Sequence, residues 1–529
     1  MKSPSLKVLF ICYQSRIVLS WITRVTTKSF LRSLPVSTED TTESLTLDPF
    51  SLKNLCRGPA GSFAEQYGFS LSDPEGFWSA AASTLFWFKM PEKILDYDNE
   101  TKLSRWFVGG QTNVCYNALD LHVEHGGRAD QVALIYDSPV TSTKKRFTYK
   151  ELLDEVSRFA AILVDEYDLK CGDRAVIYMP MIPEAVIAML ACARIGVIHS
   201  VVFGGFAPKE LATRIDDCEP KVIISASCGV EQGGKITPYK PLLDDAIDIA
   251  KHKVSGCIIV QRELQKATLK EGRDACYQDL MSKVTRVQKA IPVNSTDPLY
   301  ILYTSGTTGK PKGVIRDTGG LAVGLKWSMS AFYDSNPGDV YFAGSDIGWV
   351  VGHHYIVYAP LLQGCTTILY EGKPVFTPDA GAFWRMVEEY KIKTLFAAPT
   401  AFRAIKQMDP HGLLVKNYNI SSLNAVFLAG ERSDPDTLRW CEKNLGVPAI
   451  DHWWQTELAY PGTGNALGLG LLPPKYGACA GPVPGYDIRV LNKEGTEAPP
   501  GTLGDIVIKL PLPPGSLLDL YKVSSSRKD

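Results

Sequence analysis

A run of glycine, hydroxyl and lysine side chains near the middle of the chain has the composition of a phosphate-binding loop. The run is YTSGTTGKPKGV, residues 303–314. Glycine lets the backbone approach a ligand closely, hydroxyl groups donate hydrogen bonds, and lysine supplies positive charge. The apolar segment PLYIL, residues 298–302, precedes the run as a predicted buried strand, so the loop is expected to project from a sheet edge. The residues expected to hold phosphate are Thr304, Ser305, Gly306, Thr307, Thr308, Gly309, Lys310 and Lys312.

Two other interpretations of this run are less favoured. A Walker A loop requires serine or threonine after its lysine, and Pro311 follows Lys310 here. A solvated turn with two surface lysines is compatible with a shorter fragment such as SGTTG. The full run behind a strand favours a phosphate site of a kind other than a P-loop NTPase.

Three further segments place polar residues at the predicted ends of strands, where α/β sheets bind ligands. They are TLFAAPTAFRA at 394–404, NAVFLAGER at 424–432 and VPAIDHWWQTE at 447–457. In the second segment, Gly430 and Glu431 are free to reach a purine, and Ser433 is expected to cap the helix that follows. Taken singly, each segment is compatible with a plain sheet turn.

The segment DIGWVVGHHY, residues 346–355, carries a histidine pair beside glycines. Such a pair is one candidate for a metal site. If the segment is a strand, adjacent side chains point to opposite faces, so His353 and His354 are not expected to share an ion.

The elements that must position these groups alternate between strand and helix. Thr148 and Glu151 make a capping box before a helix with one apolar face. Pro183 can start the next helix, whose inner face is predicted to include Val186 and Met189. Short cycles of strand, helix and strand predict an α/β fold with a parallel sheet and crossover helices.

Length and composition bound the class of protein. A chain of 529 residues predicts about two to four domains, and 45% hydrophobic with 21% charged residues indicates a soluble globular protein. The net charge of -1 gives no electrostatic case for nucleic acid. The 12 cysteines show no zinc or disulfide spacing, which favours a reducing compartment. The sequence contains no run of about 18 apolar residues, so no membrane span is predicted.

The first 38 residues differ from the rest of the chain. They are basic and rich in serine and threonine, and the first acidic residue is Glu39. This composition is typical of a mitochondrial transit peptide, predicted here for residues 1–38. A secretory signal built on residues 6–13 and a disordered tail are the alternatives. The basic residues are Lys2, Lys7, Arg16, Arg24, Lys28 and Arg32.

Together these motifs resemble a known family. The run at 303–314 resembles the phosphate-binding signature of the adenylate-forming superfamily. The order DPEGFW, RWF, GG and YNALD within residues 73–120, and MLACARIGVIHSVVFGGF at 189–206, resemble the short-chain acyl-CoA synthetases, the acetyl- and propionyl-CoA ligases. The resemblance implies a large domain of two parallel-type sheets with packed helices plus a small β lobe.

The resemblance also implies domain boundaries. An amino-terminal synthetase segment is expected at 60–120, the main AMP-binding domain at 121–515 and a divergent tail at 516–529. The mobile carboxy-terminal α+β domain of the family, with its catalytic lysine, is expected to be missing.

Site roles follow from the resemblance for four sets of residues. Adenine would be contacted by Gly430, Glu431 and Arg432. The base and the α-phosphate would be enclosed by Asp451, His452, Trp453, Trp454, Gln455 and Thr456. Magnesium would lie near Glu457. The acyl pocket would be lined by Trp349, Val350, Val351, Ala429 and Trp454. The coenzyme A nucleotide would contact Glu231, Gln232, Gly233 and Gly234.

The chain departs from the family pattern at several of these positions. Glu231 stands in a loop that is basic in many relatives, His354 stands where serine is common, and Leu458 with Ala459 replaces Thr-Gly. Ala429 stands where acetate-selective relatives tend to carry valine. Because a smaller side chain leaves room for about one more methylene, propionate is expected first and acetate second.

The implied function is ATP-dependent activation of a short-chain carboxylate through acyl-AMP to acyl-CoA in the mitochondrial matrix, with Mg²⁺ and coenzyme A. Full thioester synthesis is expected to be impaired without the mobile domain. The alternative is a non-catalytic isoform that binds nucleotide or acyl adenylate, associates with itself, or pairs with the full-length enzyme. No nucleic-acid partner is expected.

Overall fold

The computed structural model describes residues 62–304 and 311–522. The predicted transit peptide and the loop residues Ser305 to Lys310 lie outside the described residues. Two seven-stranded sheets, called sheet A and sheet B below, form the frame of the molecule. The α/β prediction with two parallel-type sheets is therefore confirmed.

Sheet A is parallel except for its last strand. Its edge is a hairpin in which the final two strands run antiparallel. In spatial order its strands are Asp274–Cys276, Gly256–Val260, Val222–Ala226, Arg174–Tyr178, Ile198–Val201, Pro298–Thr304 and Lys312–Asp317.

Sheet B has the same plan, with an antiparallel pair at one edge and parallel neighbours elsewhere. In spatial order its strands are Ala449–Asp451, Ala425–Leu428, Ile392–Ala397, Val340–Gly344, Thr366–Tyr370, Val132–Ser138 and Thr143–Thr148.

Five two-stranded antiparallel ribbons accompany the sheets in the described part of the chain. The last of them provides the small β lobe expected before residue 515. The ribbons pair Lys93–Tyr97 with Ser104–Val108, Gln111–Thr112 with Val293–Asn294, Cys228–Val230 with Ile236–Pro238, Thr463–Gly464 with Gly481–Pro482, and Asp487–Leu491 with Asp505–Lys509.

Helices cover both outer faces of the sheets and fill the space between them. The capping box of Thr148 and Glu151 is confirmed. The α-helices are Phe63–Ser72, Pro74–Ala82, Leu121–Glu124, Tyr149–Asp165, Pro183–Arg194, Pro208–Cys218, Tyr239–Ile249, Tyr277–Lys283, Thr318–Ala331, Val350–Gly352, Ala359–Gln363, Ala382–Tyr390, Pro399–Met408 and Pro435–Leu445. The π-helical segments are Tyr116–Asp120 and His353–Tyr358, and the 3₁₀ turns are Gln232–Gly234, Val415–Asn417 and Leu467–Leu469.

The largest hydrophobic cluster lies between the two sheets. The Pro183–Arg194 helix is buried on nearly all sides there, and so is the Thr318–Ala331 helix. The prediction of a single inner face for the Pro183 helix was therefore wrong, because that helix packs between two sheets and has no solvent side. Such a helix is apolar around its circumference.

The amino-terminal segment docks on this core through aromatic rings. Trp78 packs edge-on against Trp327 at 5.5 Å and lies 5.9 Å from Tyr460. The indole of Trp106 donates a 2.9 Å hydrogen bond to the carbonyl of Leu512. The segment thus holds the chain that follows the WWQTE motif.

Candidate active site

The predicted phosphate loop joins the last two strands of sheet A. Residues 300–302 before it are buried, and Thr304 pairs with Lys312 across the hairpin. Both residues are half-buried. The prediction that the loop follows a buried strand at a sheet edge is confirmed.

The carboxyl ends of two strands of sheet B, Ala425–Leu428 and Ala449–Asp451, lie side by side. Leu428 is level with Asp451, and the His452 amide donates a 3.0 Å bond to the Leu428 carbonyl. The Ser433 hydroxyl donates to the Asp451 carboxylate at 2.9 Å. Ser433 is therefore not the helix cap that was predicted. Asp434 caps the Pro435–Leu445 helix instead, because its carboxylate accepts from the Thr437 amide at 2.8 Å.

The turn at 429–432 offers exposed backbone next to this pair. Gly430 has φ of 101°, and a Cβ placed there would meet no atom within 4 Å. The Glu431 carboxylate accepts from the Thr400 amide at 2.7 Å and pairs with Arg403 at 2.7 Å. Three predicted strand-end segments are thereby joined at one end of sheet B, and Gly430 leaves open space for a flat ring.

Burial controls the charge of the residues under this turn. His452 lies within 6.0 Å of the rings of Phe332, Phe396 and Phe427. Burial lowers its pKa to about 3, so the imidazole is neutral near pH 7. Burial also raises the pKa of the Asp451 carboxyl, although the Ser433 hydroxyl opposes the shift.

Four of the five acyl-pocket residues predicted from the sequence share one core. Val350 and Val351 pack against the cluster that contains Ala429 and Trp454. Trp349 is different, since it is 53% exposed and lies 5.7 Å from the ring of Phe203.

The histidine pair lies on a helix. The expectation that His353 and His354 occupy a strand was therefore wrong. The segment after Gly352 is π-helical and wholly buried, because its apolar residues fill the space between the sheets. His353 bonds to the Trp349 carbonyl at 3.1 Å, and His354 bonds to the Tyr300 hydroxyl at 2.6 Å. Across residues 62–304 and 311–522, no three His, Cys, Asp or Glu side chains form a group suited to a metal ion.

Arg316 is a site residue that sequence reasoning missed. It lies on the second strand of the hairpin, is fully buried, and donates to the carbonyls of Thr456, Glu457 and Leu458. The hairpin that carries the phosphate loop is called the phosphate hairpin below. It and the WWQTE turn are thereby fixed to each other. The signal in the sequence was an arginine directly after the apolar pair Val314–Ile315 in a strand, because a buried charge must find partners.

A cleft of about 910 Å³ opens between the two sheets. Glu231, predicted for coenzyme A, and Trp349, predicted for the acyl group, both line it, together with Gly204, Asp346 and Lys373. Burial raises the pKa of Asp346 to about 6, while a hydrogen bond from the Gly348 amide opposes the shift. One residue of each predicted subsite therefore faces the same cleft.

The predicted coenzyme loop is a ribbon turn at the mouth of this cleft. Gly233 and Gly234 have φ of 79° and 78°, values that favour glycine. The Thr237 hydroxyl donates to the Glu231 carboxylate at 2.5 Å and lowers its pKa, as does the charge of Lys235. The turn brings an anion to the place where the resemblance predicts phosphate.

The residues proposed to hold Mg²⁺ and phosphate have free charges. The Glu457 carboxylate makes no hydrogen bond or ion pair with other described residues, and the same is true of the Lys312 ammonium group. Both side chains are half-buried. A hard cation prefers carboxylate oxygen, and a phosphate prefers an unpaired ammonium, so this donor set fits a Mg²⁺ nucleotide.

Comparison with known proteins decides the family. The family model described as AMP-binding enzyme matches residues 122–513, and the model described as acetyl-coenzyme A synthetase N-terminus matches residues 63–118. The chain belongs to the AMP-binding enzyme family. The resemblance to adenylate-forming enzymes that the motifs indicated is thus confirmed.

Relatives within the AMP-binding family are close in sequence. The Homo sapiens acyl-CoA synthetase short-chain family member 3, mitochondrial, is 50% identical over 470 residues, covering 88% of this chain and 68% of the relative. The Salmonella typhimurium propionate–CoA ligase is 45% identical over 465 residues, covering 87% of this chain and 72% of the relative.

A solved structure shares the fold of this AMP-binding enzyme. The acetoacetyl-CoA synthetase from Streptomyces lividans superposes with a TM-score of 0.79 at 23% identity, covering 88% of this chain and 70% of that chain. Among the described residues of the present chain, no helix is both long and apolar enough to cross a bilayer.

Proposed function

We propose that this chain activates a short-chain carboxylate with Mg-ATP through acyl-AMP to acyl-CoA, with propionate as first substrate and acetate as second. One observation carries the proposal. Arg316 fixes the hairpin that ends at Thr304 and Lys312 to the turn that bears Trp454 and Glu457. A phosphate-binding element and the predicted acyl-pocket floor are thereby held in a single rigid arrangement.

The first half-reaction makes a poor electrophile reactive. The carboxylate attacks the α-phosphorus, and pyrophosphate leaves with the electron pair of the broken P–O bond. The hairpin loop and Lys312 would stabilise the charge that moves onto the leaving group. Glu457 would hold Mg²⁺, which neutralises phosphate charge when it is bound. Trp454 and the Val350–Val351 pair would orient the acyl group.

The second half-reaction transfers the acyl group to the thiol of coenzyme A. The thiolate attacks the acyl carbonyl, and the bond to the phosphate oxygen breaks so that AMP leaves. The cleft between the sheets supports this step, since it runs from the turn at Glu231 to Trp349, one of the residues predicted for the acyl pocket.

Two further observations support the proposed substrate preference and the proposed location of the protein. Ala429 is buried and small, and each methylene that a pocket must accommodate discriminates by about 1 to 3 kcal/mol. Relatives from Homo sapiens, Mus musculus and Rattus norvegicus are mitochondrial by name. We therefore place this protein in the mitochondrion, with the basic residues 1–38 as its import signal.

The proposal is tested on the purified chain by propionate-dependent exchange of pyrophosphate into ATP. Thermal shifts with Mg-ATP and with a nonreactive propionyl-adenylate analogue are measured in parallel. Exchange is expected with propionate above acetate, and Lys312→Ala should weaken the Mg-ATP shift. Shifts without exchange would favour the alternative function, a non-catalytic protein that binds nucleotide or acyl adenylate. No shift with either ligand would refute both functions.

A further inference from the structure

The indole of Trp454 is packed against two rings of the His353–Tyr358 helix. The imidazole of His354 lies 5.7 Å from it at an interplanar angle of 38°, and the phenol ring of Tyr355 lies 5.6 Å away at 71°. Trp454 is 7% exposed, and both supporting rings are fully buried. The indole therefore cannot move toward the helix while these rings hold their places.

His354 is itself tethered from behind. Its Nε2 atom shares a 2.6 Å hydrogen bond with the hydroxyl of Tyr300, which is fully buried on the central part of the hairpin strand. Tyr300 is flanked in the sheet by Arg316, its partner across the hairpin. A buried ring with one fixed nitrogen loses most of its rotational freedom. The support behind Trp454 is thus connected to the phosphate hairpin by direct contacts.

From these contacts we infer that His354 is a positioning residue that determines acyl-chain length by holding Trp454 in place. The inference rests on the proposed function, in which Trp454 is the floor of the acyl pocket. In this chain the position directly behind the floor is filled by the imidazole ring of His354. A serine there would leave a void that an indole can enter.

The physical consequence concerns selectivity more than affinity. If Trp454 retreats into the void left by His354→Ser, the opposite side of the indole gains space for about one methylene. One methylene in an apolar pocket changes discrimination by about 10-fold or more. The preference for propionyl over butyryl or pentanoyl groups should therefore fall, whereas the binding of the nucleotide part should change little.

The experiment measures the dissociation constants of nonreactive acyl-sulfamoyl adenosines with two-, three-, four- and five-carbon acyl groups by calorimetry. The ratio between chain lengths is the readout, because a general loss of stability leaves a ratio unchanged. We expect His354→Ser to shift the ratio of four-carbon to three-carbon binding by about 10-fold toward the longer group. An unchanged ratio in a folded variant that still binds would overturn the inference.

His199 provides the matched control. It is fully buried and its Nε2 bonds to the hydroxyl of Tyr358 at 2.8 Å, so it repeats the histidine–tyrosine pair of the inferred site. Within the described residues its ring packs against Tyr300, His353 and Tyr358 but not against His354 or Trp454, so its replacement deletes a neighbouring histidine and keeps the ring behind the indole. His199→Ser should therefore lower stability and leave the chain-length ratio unchanged. An equal shift in this control would also overturn the inference.

Two more variants keep the test decisive. Tyr300→Phe frees the imidazole without deleting it, so a smaller shift in the same direction is expected. If His354→Ser does not fold, His354→Asn removes less volume and should shift the ratio by less than serine but in the same direction. Failure of the unmodified chain to bind any of the analogues would contradict the proposed function itself, which separates that outcome from a failure of this inference.

Discussion

The guanidinium of Arg316 donates a 3.1 Å hydrogen bond to the carbonyl of Leu458, 142 positions further along the chain. Arg316 also holds the carbonyls of Thr456 and Glu457. None of the carboxylates in the described residues forms an ion pair with it. Its charge is balanced by backbone dipoles, so the geometry of the turn and the state of this arginine depend on each other.

Replacing Arg316 is expected to loosen the turn and to weaken nucleotide binding. Arg316→Met leaves the carbonyls of Thr456 and Leu458 without their donor, whereas the Glu457 carbonyl keeps its bond from the Leu517 amide. Each unsatisfied buried group costs about 1 to 3 kcal/mol. Arg316→Lys keeps the charge but cannot reach three acceptors, so it should recover only part of the loss.

Urea unfolding and Mg-ATP calorimetry measure the two effects of the Arg316 variants. Arg439→Met, at an exposed arginine, is the control and should change neither quantity. If Arg316→Met lowered stability but left the Mg-ATP dissociation constant unchanged, the proposed link between the turn and the nucleotide would be wrong.

Acid should unfold the protein at a mild pH because five of its histidines are buried and neutral. Burial lowers the pKa of His353 to about 4 and of His122 and His452 to about 3. The pKa values of His199 and His354 lie well below the ordinary value for the same reason.

The direction in which stability changes with pH follows from the difference between the folded and unfolded pKa values of these histidines. A histidine whose folded pKa is depressed contributes stability that is present above its unfolded pKa of about 6.5 and is lost as pH falls toward the folded pKa. Each such group contributes about 1.4 kcal/mol per pH unit in that window. The urea midpoint should therefore fall steeply between pH 6.5 and pH 5, as measured by circular dichroism. A flat midpoint across this window would contradict the buried, neutral state, and His411→Gln at an exposed histidine should leave the profile unchanged.

Much of the fold was predictable because its signals are local. The capping box before Tyr149 and the start of a helix at Pro183 depend on residues within one turn of each other. The phosphate loop at a sheet edge was likewise predicted from a glycine-rich run behind an apolar strand. Such features need no knowledge of distant parts of the chain.

The contacts that the sequence did not reveal join residues far apart in the chain. Arg316 and Leu458 are 142 positions apart, and Tyr300 and His354 are 54 apart. Ser433 was predicted to cap a helix because it directly precedes a predicted helix. In the structure its hydroxyl donates a hydrogen bond to the carboxylate of Asp451 on the next strand. The histidine pair was assigned to a strand because a short apolar run does not distinguish a strand from a buried helix.

Asp317 is expected to lower stability near neutral pH. Burial raises the pKa of this carboxyl to about 7, although the adjacent Arg316 opposes the shift. Since the folded pKa lies above the unfolded value, the charged form is penalised as pH rises from about 4 to about 7, by up to about 4 kcal/mol. Asp317→Asn should therefore unfold at a higher urea concentration than the parent at pH 8.

The gain from Asp317→Asn should become small at pH 4, where the parent carboxyl is protonated in the folded state and about half protonated in the unfolded chain. Asp434 gives a control of opposite sign. Burial raises its pKa, but bonds from Thr437 outweigh this and the net shift is downward. Asp434→Asn should lower the urea midpoint at pH 8. A stabilised Asp434→Asn variant, or a gain at Asp317 independent of pH, would contradict this assignment.

The buried ion pair of Arg262 and Glu371 is expected to fix one wall of the cleft. The guanidinium makes two bonds to the carboxylate at 2.8 and 2.9 Å, and the hydroxyl of Ser138 donates to the same carboxylate at 2.8 Å. Arg262→Met leaves an unpaired buried anion and should cost about 3 to 5 kcal/mol in urea unfolding. Glu371→Gln added to that variant should recover part of the loss, because the neutral amide no longer needs the cation. Equal stability of the single and double variants would exclude this reason.

The segment at 517–522 is expected to stiffen the phosphate hairpin. The Ile315 amide donates to the Asp519 carbonyl at 3.1 Å, and the Tyr521 amide donates to the Gly313 carbonyl at 2.8 Å, so the segment pairs with the outer edge of sheet A. The Leu517 amide also donates to the Glu457 carbonyl at 2.8 Å. Shortening the chain after Ser516 would leave these groups open to water.

Hydrogen exchange measures the effect of that truncation. The Ile315 amide should exchange faster, because it loses its acceptor, while amides in the central strands of sheet B keep their protection. The Mg-ATP thermal shift should fall in parallel, since the loop then projects from a frayed strand. Tyr521→Ala in the uncut chain is the milder companion, because it removes a ring packed against the hydrophobic cluster that contains Ile301 but keeps the backbone bonds. Unchanged exchange at Ile315 in the shortened chain would show that the edge of sheet A is held without this segment.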